Sequence, residues 1–214
     1  MIADEAEARA YVAQWADAEA MARIELLLAR LAEENRHQNL VASATLECAW
    51  QRHVADSAQL LHHVPRETPL APWFDLGTGA GFPGLVIACL RPGWQVFLVE
   101  SRRRRVEWLR SIADELGLRR CRVEGTRLEA LESVPAGVIS ARAFAPLPRL
   151  LALSARFSTA DTMFLLPKGR SGAQELADAP KWIRRTFHVE QSRTDAGASI
   201  LVGRLSKEAR ERLS

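Results

Sequence analysis

A glycine-rich stretch has the clearest capacity for chemistry in this sequence. Residues 75–84 read Asp-Leu-Gly-Thr-Gly-Ala-Gly-Phe-Pro-Gly and overlap the end of a short apolar run. Glycines allow a backbone to turn sharply and to approach a ligand without a Cβ in the way. Pro83 suits the first turn of a helix, where its missing N–H is no loss. The stretch therefore predicts a ligand-binding loop that connects a strand to a helix.

Acidic residues around this loop help to identify the ligand. Read from Gly79, the loop matches the dinucleotide pattern G-x-G-x-x-G. Asp75 would repel the pyrophosphate of a dinucleotide but would favour the ammonium and sulfonium groups of S-adenosylmethionine. Glu100 ends the next predicted strand, where an acid can hydrogen-bond the ribose of either cofactor. We therefore expect S-adenosylmethionine, with Asp75, Gly79 and Glu100 in its site.

Strands and helices that alternate along the chain must position this loop. Strands are predicted at 73–76, 96–99, 121–123, 138–140 and 163–166, and helices at 85–90 and 103–116. Residues 182–190 and 198–205 are predicted to pair as a C-terminal antiparallel hairpin. This alternation predicts an α/β fold of the Rossmann-like type, with a mostly parallel sheet and helices on both faces. Ligands of such sheets bind at the carboxyl ends of the strands, near the point where the strand order reverses.

Residues 1–64 are predicted to form a helical extension that precedes the cofactor-binding domain, residues 65–214. Apolar residues recur at helical spacing within 24–31, whereas Pro65 and Pro69 interrupt the helical pattern. Because 214 residues suffice for one domain with a sizeable core, we expect the two parts to form one compact unit.

The charge of the chain is mildly basic and uneven. The net charge is +3 and the pI is about 9.0. Residues 1–34 are acidic, so the remainder is more basic than the average. This distribution suits a polyanionic partner, although charge alone does not establish one.

Composition also bears on location and on metals. No apolar run approaches the roughly 20 residues that a membrane span needs, and the acidic N-terminus is unlike a secretory signal. Cys48, Cys89 and Cys121 are too sparse for a disulfide framework or a zinc cluster, and the histidines make no metal-ligand pattern. We therefore expect a cytoplasmic protein that binds neither a membrane nor a metal. The sequence does not indicate an oligomeric state, and a monomer is our expectation.

Several segments outside the generic loop carry a family resemblance. The most specific are Arg-His-x-x-Asp-Ser at residues 52–57 and the Gly-Phe-Pro-Gly ending of the loop. Further segments are 39–42, 99–101, 105–109, 127–129, 140–145 and 167–169. Over about residues 35–170 the chain is thereby similar to the RsmG family, also called GidB, of small-subunit ribosomal RNA guanine-N7 methyltransferases.

This resemblance implies a class I methyltransferase version of the Rossmann-like fold. It implies transfer of the methyl group of S-adenosylmethionine to N7 of one guanine in 16S ribosomal RNA, with the small ribosomal subunit as partner. It also implies a set of residues that line the cofactor site, namely Gly77, Phe82, Leu128, Glu129 and Arg142, with Glu100 near the ribose.

The residues themselves bear on which atom accepts the methyl group. N7 of guanine has an in-plane lone pair and no proton to lose, so its methylation needs positioning and no general base. Methylation of an exocyclic amine usually uses an Asn/Asp-Pro-Pro-aromatic motif after the fourth strand, whereas residues 140–144 here read Ser-Ala-Arg-Ala-Phe. Methylation of a pyrimidine carbon needs a thiolate at a strand end, and all three cysteines fall in predicted helix or strand bodies. These observations favour N7.

Arg142 and Lys168 lie just past the fourth and fifth predicted strands, on the predicted active rim. Cations are unexpected beside a cationic cofactor, but they suit an RNA phosphate or the O6 and N7 acceptors of guanine. We therefore predict that both bind substrate and act in catalysis; the alternative for each is a surface salt bridge. Phe144 could stack on an extruded base or be an ordinary core aromatic.

Four arginines, beginning with Arg102 and Arg103, open the helix after the second strand. Cations at a helix N-terminus oppose the macrodipole, so we predict that Arg102 and Arg103 contact RNA phosphates. The alternative is a solvated face on which Glu107 pairs with one of the four.

His53 and Asp56 are three residues apart and hence share one helical face. We predict a polar cluster that packs the N-terminal helices onto the active face, with His53 in contact with substrate. A structural histidine is the alternative.

Three other functions stay open at this level. They are a methyltransferase of another RNA, a nucleotide-dependent oxidoreductase that uses the 79–84 fingerprint, and a non-catalytic RNA-binding module. Asp75 argues against the oxidoreductase, and strong salt-sensitive RNA binding without cofactor affinity would favour the module.

Overall fold

Seven strands form one mixed sheet in the computed structural model, which describes residues 1–64 and 72–213. They are β1 (Trp73–Leu76), β2 (Val96–Val99), β3 (Cys121–Glu124), β4 (Ala136–Ala141), β5 (Ser158–Lys168), β6 (Phe187–Gln191) and β7 (Ser199–Gly203). Their order is β3-β2-β1-β4-β5-β7-β6. Strands β1 to β5 pair in parallel, whereas β7 runs antiparallel to both β5 and β6. The strand order therefore reverses between β1 and β4, where Rossmann-like sheets bind ligands.

Helices flank the sheet on both faces. They are α1 (Glu5–Ala13), α2 (Ala18–Glu34), α3 (Asp56–Ala58), α4 (Gly84–Leu90), α5 (Arg103–Glu115), α6 (Leu147–Ser154), α7 (Gly172–Asp178), α8 (Lys181–Arg184) and α9 (Lys207–Leu213). Helix α3 is the middle of a longer helical segment, which begins as a π-helix (Trp50–Ala55) and ends as a 3-10 helix (Gln59–His63). Short 3-10 turns occur at Ser43–Thr45, Leu128–Ala130 and Ala155–Phe157.

The two faces of the sheet carry separate apolar cores. Because successive strand residues point to opposite faces, Trp73 and Phe74 of β1 enter different cores. Strands β1 and β2 are buried along their whole length. A strand that is covered on both faces has a continuous apolar sequence, which explains why both strands could be predicted within a residue.

The N-terminal helices pack into the same core as α4 and α5. Asp4 and Asp17 cap α1 and α2, since each side chain accepts a hydrogen bond from a backbone N–H three residues on. The Glu5 carboxylate accepts hydrogen bonds from the backbone N–H groups of Trp50 (2.9 Å) and Gln51 (2.8 Å). These contacts fasten α1 to the start of the 50–63 segment.

The predicted fold class is confirmed, including the mostly parallel sheet and the C-terminal antiparallel hairpin of β6 and β7. Strand β5 is longer than predicted at both ends: Ser158 pairs with Ala136 of β4, and Pro167 and Lys168 pair with β7. The placement of Cys48 in a regular element was wrong, since it lies in a turn before the 50–63 segment. The predicted helix break at Pro65 and Pro69, and with it the predicted domain boundary, lies outside the described residues.

Candidate active site

The carboxylate of Asp75 holds the glycine loop in place through hydrogen bonds. It is fully buried at the end of β1, opposite Ser140 of β4. One carboxylate oxygen, Oδ2, accepts hydrogen bonds from Thr78 Oγ1 (2.5 Å) and Gly84 N (2.9 Å), and Oδ1 accepts one from Ser140 Oγ (2.9 Å). Burial raises the pKa of Asp75, an effect that these three donors oppose. The carboxylate thus ties the loop to two strands and does not project into an open cleft, which differs from the direct cofactor contact that the sequence predicts.

Gly77 is packed against the aromatic ring of Phe144. Its φ of +64° lies in the left-handed region that only glycine adopts without cost. A Cβ at this position would overlap Cδ2 of Phe144. Phe144 follows Ala143, itself at φ +53°. The ring and its neighbours therefore form a wall above the loop, and this wall separates two clefts.

The smaller cleft has a volume of about 480 Å³ and lies at the carboxyl ends of β1 and β2. Four of the predicted cofactor residues line it, namely Gly77, Glu100, Leu128 and Glu129. The predicted RNA-contacting residue Arg102 also lies here. Arg105, from the same four-arginine run, also lines this cleft, as do Arg127 and Arg149, which the sequence reasoning did not assign to a ligand.

Glu100 is the buried acid of the smaller cleft, with only 7% of its surface exposed. Its Oε1 accepts hydrogen bonds from the backbone N–H groups of Ser101 (2.8 Å) and Arg102 (2.9 Å). Its Oε2 lies 3.6 Å from a guanidinium nitrogen of Arg105, beyond hydrogen-bond distance. Glu100 is thus held rigidly by one oxygen while the other can still accept a hydrogen bond.

The larger cleft has a volume of about 1040 Å³ and lies on the other side of the Phe144 wall. Three residues predicted to bind substrate line it, namely His53, Arg142 and Lys168. Arg142 follows β4 and Lys168 ends β5, as the predicted active rim requires. Charged residues that the sequence reasoning did not place at the site also line it; they are Arg52, Glu175, Asp178 and Asp195.

Two of the three cation–acid pairs in the larger cleft are closely hydrogen-bonded. Lys168 Nζ lies 2.8 Å from Glu175 Oε2, and its side chain is only 12% exposed. Arg52 lies 2.7 Å from Asp195 Oδ2. The acidic partners, Glu175 and Asp195, both lie in the C-terminal third of the chain. Neither stands at a helix or strand spacing from its cation that would predict a contact, so sequence reasoning missed them.

The third pair, Arg142 and Asp56, is looser, with 3.7 Å between Nη1 and Oδ2. Asp56 Oδ1 instead accepts hydrogen bonds from Gln59 Nε2 (2.8 Å) and Thr194 Oγ1 (2.9 Å). Burial raises the pKa of Asp56, and Arg142 opposes that shift. Both charged groups of this pair therefore retain hydrogen-bonding capacity at the cleft.

His53 is buried beneath the larger cleft, with 5% of its surface exposed. The hydroxyl of Thr45 donates to Ala42 O (2.7 Å), so at 2.9 Å it accepts from His53 Nε2. His53 Nδ1 is then an unprotonated acceptor, and no described residue donates to it. Burial, reinforced by the nearby charges of Arg142 and Arg52, lowers the pKa of His53 to about 4. The ring is therefore neutral at neutral pH.

Phe82 of the glycine loop contacts the 52–57 segment, so the two segments most specific to the family pack against each other. Its ring stacks on His53 with 5.0 Å between centroids and an interplanar angle of 22°. The guanidinium of Arg142 lies 5.8 Å from the centre of the same ring. Phe82 is buried and, like Gly79, lines neither of the two clefts. Both residues shape the loop that supports the Phe144 wall.

Arg103 and two of the cysteines are the remaining residues that the sequence singles out. The side chain of Arg103 is 92% exposed and pairs with Glu107 at 2.9 Å, which confirms a pairing of Glu107 with one of the four arginines. Burial raises the pKa of both Cys89 and Cys121 to about 12, which disfavours a thiolate at either residue.

Across residues 1–64 and 72–213, no group of three or more histidine, cysteine, aspartate or glutamate side chains is arranged to hold a metal ion. The same residues include no helix that is both long and apolar enough to cross a membrane.

The strand order and the loop at its reversal point define a class I S-adenosylmethionine-dependent methyltransferase fold. Solved structures with this fold include a putative methyltransferase, YhhF, from Escherichia coli, with a TM-score of 0.54 and 13% identity over 71% of this chain and 86% of that one. Another is a mutant of MtNAS in complex with S-adenosylmethionine, with a TM-score of 0.56 and 16% identity over 94% of this chain and 78% of that one. At such low identity these structures support the fold alone.

Sequence relatives then specify the family. Residues 20–198 match the family model GidB, described as rRNA small subunit methyltransferase G. The ribosomal RNA small subunit methyltransferase G of Erythrobacter litoralis is 60% identical over 95% of this chain and 98% of that protein. The protein of the same name from Novosphingobium aromaticivorans is 54% identical over 94% of this chain and 88% of that protein. The chain therefore belongs to the rRNA small subunit methyltransferase G family, which decides against the oxidoreductase interpretation.

Proposed function

We propose that this protein transfers the methyl group of S-adenosylmethionine to N7 of one guanine in 16S ribosomal RNA. The observation that carries the proposal is the near full-length match, at 60% identity, to a ribosomal RNA small subunit methyltransferase G. The geometry agrees with it. Two clefts meet at the carboxyl ends of the parallel strands, and Gly77 and Phe144 lie where they meet.

The smaller cleft fits the cofactor. Glu100 Oε2 is a preorganised acceptor of the kind that binds the two hydroxyls of a ribose. Leu128 offers an apolar surface beside it, and the close approach of the backbone at Gly77 leaves no room for a side chain. When bound, S-adenosylmethionine supplies an electrophilic methyl group. We assign Gly77, Glu100, Leu128 and Glu129 to cofactor binding, with Asp75, Gly79 and Phe82 shaping the loop.

The larger cleft suits an extruded base. Its wall contains Phe144, on which a base can stack, and its cationic groups are Arg52, Arg142 and Lys168. The ring of His53 is neutral and its Nδ1 is buried, so His53 is poorly placed to take a proton from the substrate. The reaction at N7 requires no proton transfer, and the site therefore acts by holding donor and acceptor in line.

We assign Arg142 and Lys168 to substrate positioning in the larger cleft. Arg142 lies where β4 ends, next to the wall that both clefts share, and can serve either the cofactor or the base. Lys168 is held by Glu175, whose other oxygen accepts a hydrogen bond from Leu147 N (2.6 Å). A lysine fixed in this way presents its charge at one place, which suits a phosphate next to the target base.

Exposed arginines around the smaller cleft supply the sequence-independent part of RNA binding. Arg102 and Arg149 line the mouth of that cleft, and Arg103 projects from the start of α5 beside it. Because the cofactor is itself cationic, these cations serve an anionic partner and not the cofactor. The small ribosomal subunit is the proposed partner, and the cytoplasm and a monomeric state complete the proposal.

The first test is transfer of labelled methyl from S-adenosylmethionine to 30S subunits that lack the modification. Mapping the product by cleavage chemistry selective for N7-methylguanine should give a single guanine. Label at a different atom or in other RNAs would contradict the proposal, while cofactor binding by calorimetry would show whether the methyltransferase site itself is intact. RNA binding with no cofactor affinity would instead support the non-catalytic module.

A further inference from the structure

Resting on the proposed function, we infer that Asp56 reads the target guanine by accepting a hydrogen bond from its N1–H in the larger cleft. Asp56 lies at the edge of this cleft, with about one fifth of its side chain exposed. It would make the protein selective for guanine over adenine, whose N7 is also a nucleophile.

The carboxylate of Asp56 is prepared for a ligand. Its Oδ1 is fixed by Gln59 and Thr194, so the side chain has one orientation. Among the described residues, none donates a hydrogen bond to Oδ2, whose nearest cation is Arg142 at 3.7 Å. The other two acid–cation pairs of the same cleft are closed at 2.7 and 2.8 Å. Asp56 Oδ2 is thus an oriented acceptor with free capacity, at a half-buried place where an unmade hydrogen bond is costly.

The polarity of the Arg142–Asp56 pair matches guanine and opposes adenine. The guanidinium of Arg142 only donates, and an ionised carboxylate only accepts. On guanine, the O6 acceptor and the N1–H donor are neighbours, so a donor and an acceptor side by side complement them. Adenine has the reverse order, with an amino group at position 6 and an acceptor at N1. Adenine would therefore set donor against donor and acceptor against acceptor.

The same contact strengthens as the reaction proceeds. A bond forms between guanine N7 and the methyl carbon while the carbon–sulfur bond breaks, and the electron pair of that bond stays on sulfur. No proton moves, and the positive charge that leaves sulfur appears on the guanine ring. The N1–H of a cationic ring is a stronger donor, so its hydrogen bond to Asp56 is worth more in the transition state than in the ground state. Asp56 should therefore affect kcat as well as selectivity.

The test compares Asp56→Asn with the unaltered protein on two substrates. These are 30S subunits reconstituted with 16S RNA that carries either guanine or adenine at the modified position. We expect kcat/KM on guanine to fall roughly 10- to 100-fold in Asp56→Asn, mainly through kcat, because phosphate contacts dominate RNA affinity. The preference for guanine over adenine should fall by a similar factor, since an asparagine amide can turn to donate to adenine N1.

Two further variants make the test specific. Asp178→Asn removes a negative charge from the rim of the same cleft, where Asp178 accepts a hydrogen bond only from Gln174 among the described residues (2.8 Å). It should leave the guanine-to-adenine ratio unchanged. Asp56→Glu retains a carboxylate and should keep the preference for guanine while it slows turnover, so selectivity can still be measured if Asp56→Asn folds poorly.

Several outcomes would overturn the inference. One is an unchanged ratio in an Asp56→Asn protein that melts normally. Another is a loss of cofactor affinity in Asp56→Asn equal to that in Arg142→Ala, which would make Asp56 a positioning residue for a cofactor-binding arginine. If the unaltered protein itself transfers no methyl to guanine-containing subunits, the proposed function fails, independently of Asp56.

Discussion

Gly77 determines how closely any ligand can approach the loop. At φ +64° and against the ring of Phe144, even a methyl group would strain the backbone and overlap the ring. We expect Gly77→Ala to weaken S-adenosylmethionine binding roughly five- to thirtyfold and Gly77→Asp to abolish it, because an alanine leaves the left-handed conformation, which costs it about 1 to 2 kcal/mol, and so distorts the loop. Isothermal calorimetry provides the measurement.

A matched control for Gly77 is Gly93→Ala, since a Cβ at Gly93 would meet no atom within 4 Å. This variant should bind the cofactor as the unaltered protein does. Normal cofactor affinity in Gly77→Asp would show that the loop does not contact the cofactor.

His53 makes stability depend on pH in a defined direction. Its pKa falls from an ordinary value of 6.5 to about 4 on folding, so the unfolded chain binds the proton more tightly. Stability from this residue is complete above pH 6.5 and is lost as the pH falls toward 4. Between pH 8 and pH 5 the loss should be about 2 kcal/mol. Urea unfolding of the unaltered protein and of His53→Gln would show this difference.

The comparison with His53→Gln isolates the effect of one residue. Glutamine does not titrate but can still donate to Thr45, so its variant should lose less stability on acidification. His188→Gln, at a side chain that is 61% exposed, is the control and should follow the unaltered protein. If the free energy of unfolding depended on pH in the same way for all three proteins, the pKa of His53 would not be lowered on folding.

The sequence was sufficient to predict where some site residues lie but not how others are buried. The positions of Glu100, Arg142 and Lys168 at strand ends follow from the parallel sheet, so sequence periodicity was sufficient to place them. Asp75 was expected to face the cofactor because the sequence shows its charge but not its hydrogen bonds. Three donors, from the loop, the start of α4 and strand β4, surround its carboxylate, and the charge argument against a dinucleotide loses its basis.

At the scale of elements, Asp75 of β1 is hydrogen-bonded to Ser140 of β4 and, separately, to the loop and the start of α4. Asp75→Asn places an amide among donors that need acceptors, which should destabilise the protein by about 3 kcal/mol. It should also weaken cofactor binding, since the loop loses its anchor at Gly84. Thermal melting and calorimetry test both effects.

Asp114→Asn serves as the control, because Asp114 is exposed on α5. A melting temperature of Asp75→Asn equal to that of Asp114→Asn would mean that the buried carboxylate is not needed for the loop.

The elements themselves were predictable where one face or both are buried. Strands β1 and β2 and helix α5 show clear apolar patterns, and their observed bounds agree with the predicted ones within a residue. The sequence predicts a helical face shared by His53 and Asp56, and the 50–63 segment that carries them changes from π to α to 3-10 geometry. Apolar periodicity cannot distinguish these helix types over so few residues, because the π and 3-10 repeats each differ from the α-helical repeat by less than one residue per turn.

At the scale of the whole molecule, the uneven charge predicts a salt-dependent interaction with RNA. Arg102→Gln combined with Arg103→Gln should reduce the slope of log affinity against log salt by roughly 1 to 2, which is the loss of one or two phosphate contacts. Affinity for S-adenosylmethionine should not fall, because the loss of positive charge does not disfavour a cationic ligand. Filter binding to 30S subunits over a range of salt gives the slope.

The matched control is Arg119→Gln combined with Arg120→Gln, two exposed arginines that precede β3, at the ends of the strands away from the clefts. It removes the same charge but should leave the slope unaltered. Equal slopes for the two double variants would mean that the start of α5 is an ordinary solvated surface.

The larger cleft is closed by residues near the end of the chain, including Thr194, which donates to Asp56, and Asp195, which pairs with Arg52. The backbone N–H of Ile2 also donates to Arg193 O (2.7 Å), so the first residues are anchored to the same late segment. A nascent chain that ends before this segment would possess the smaller cleft but lack one side of the larger one. The order of synthesis therefore builds the smaller cleft before the larger one, and an activity that needs both clefts requires Thr194 and Asp195 to have been made.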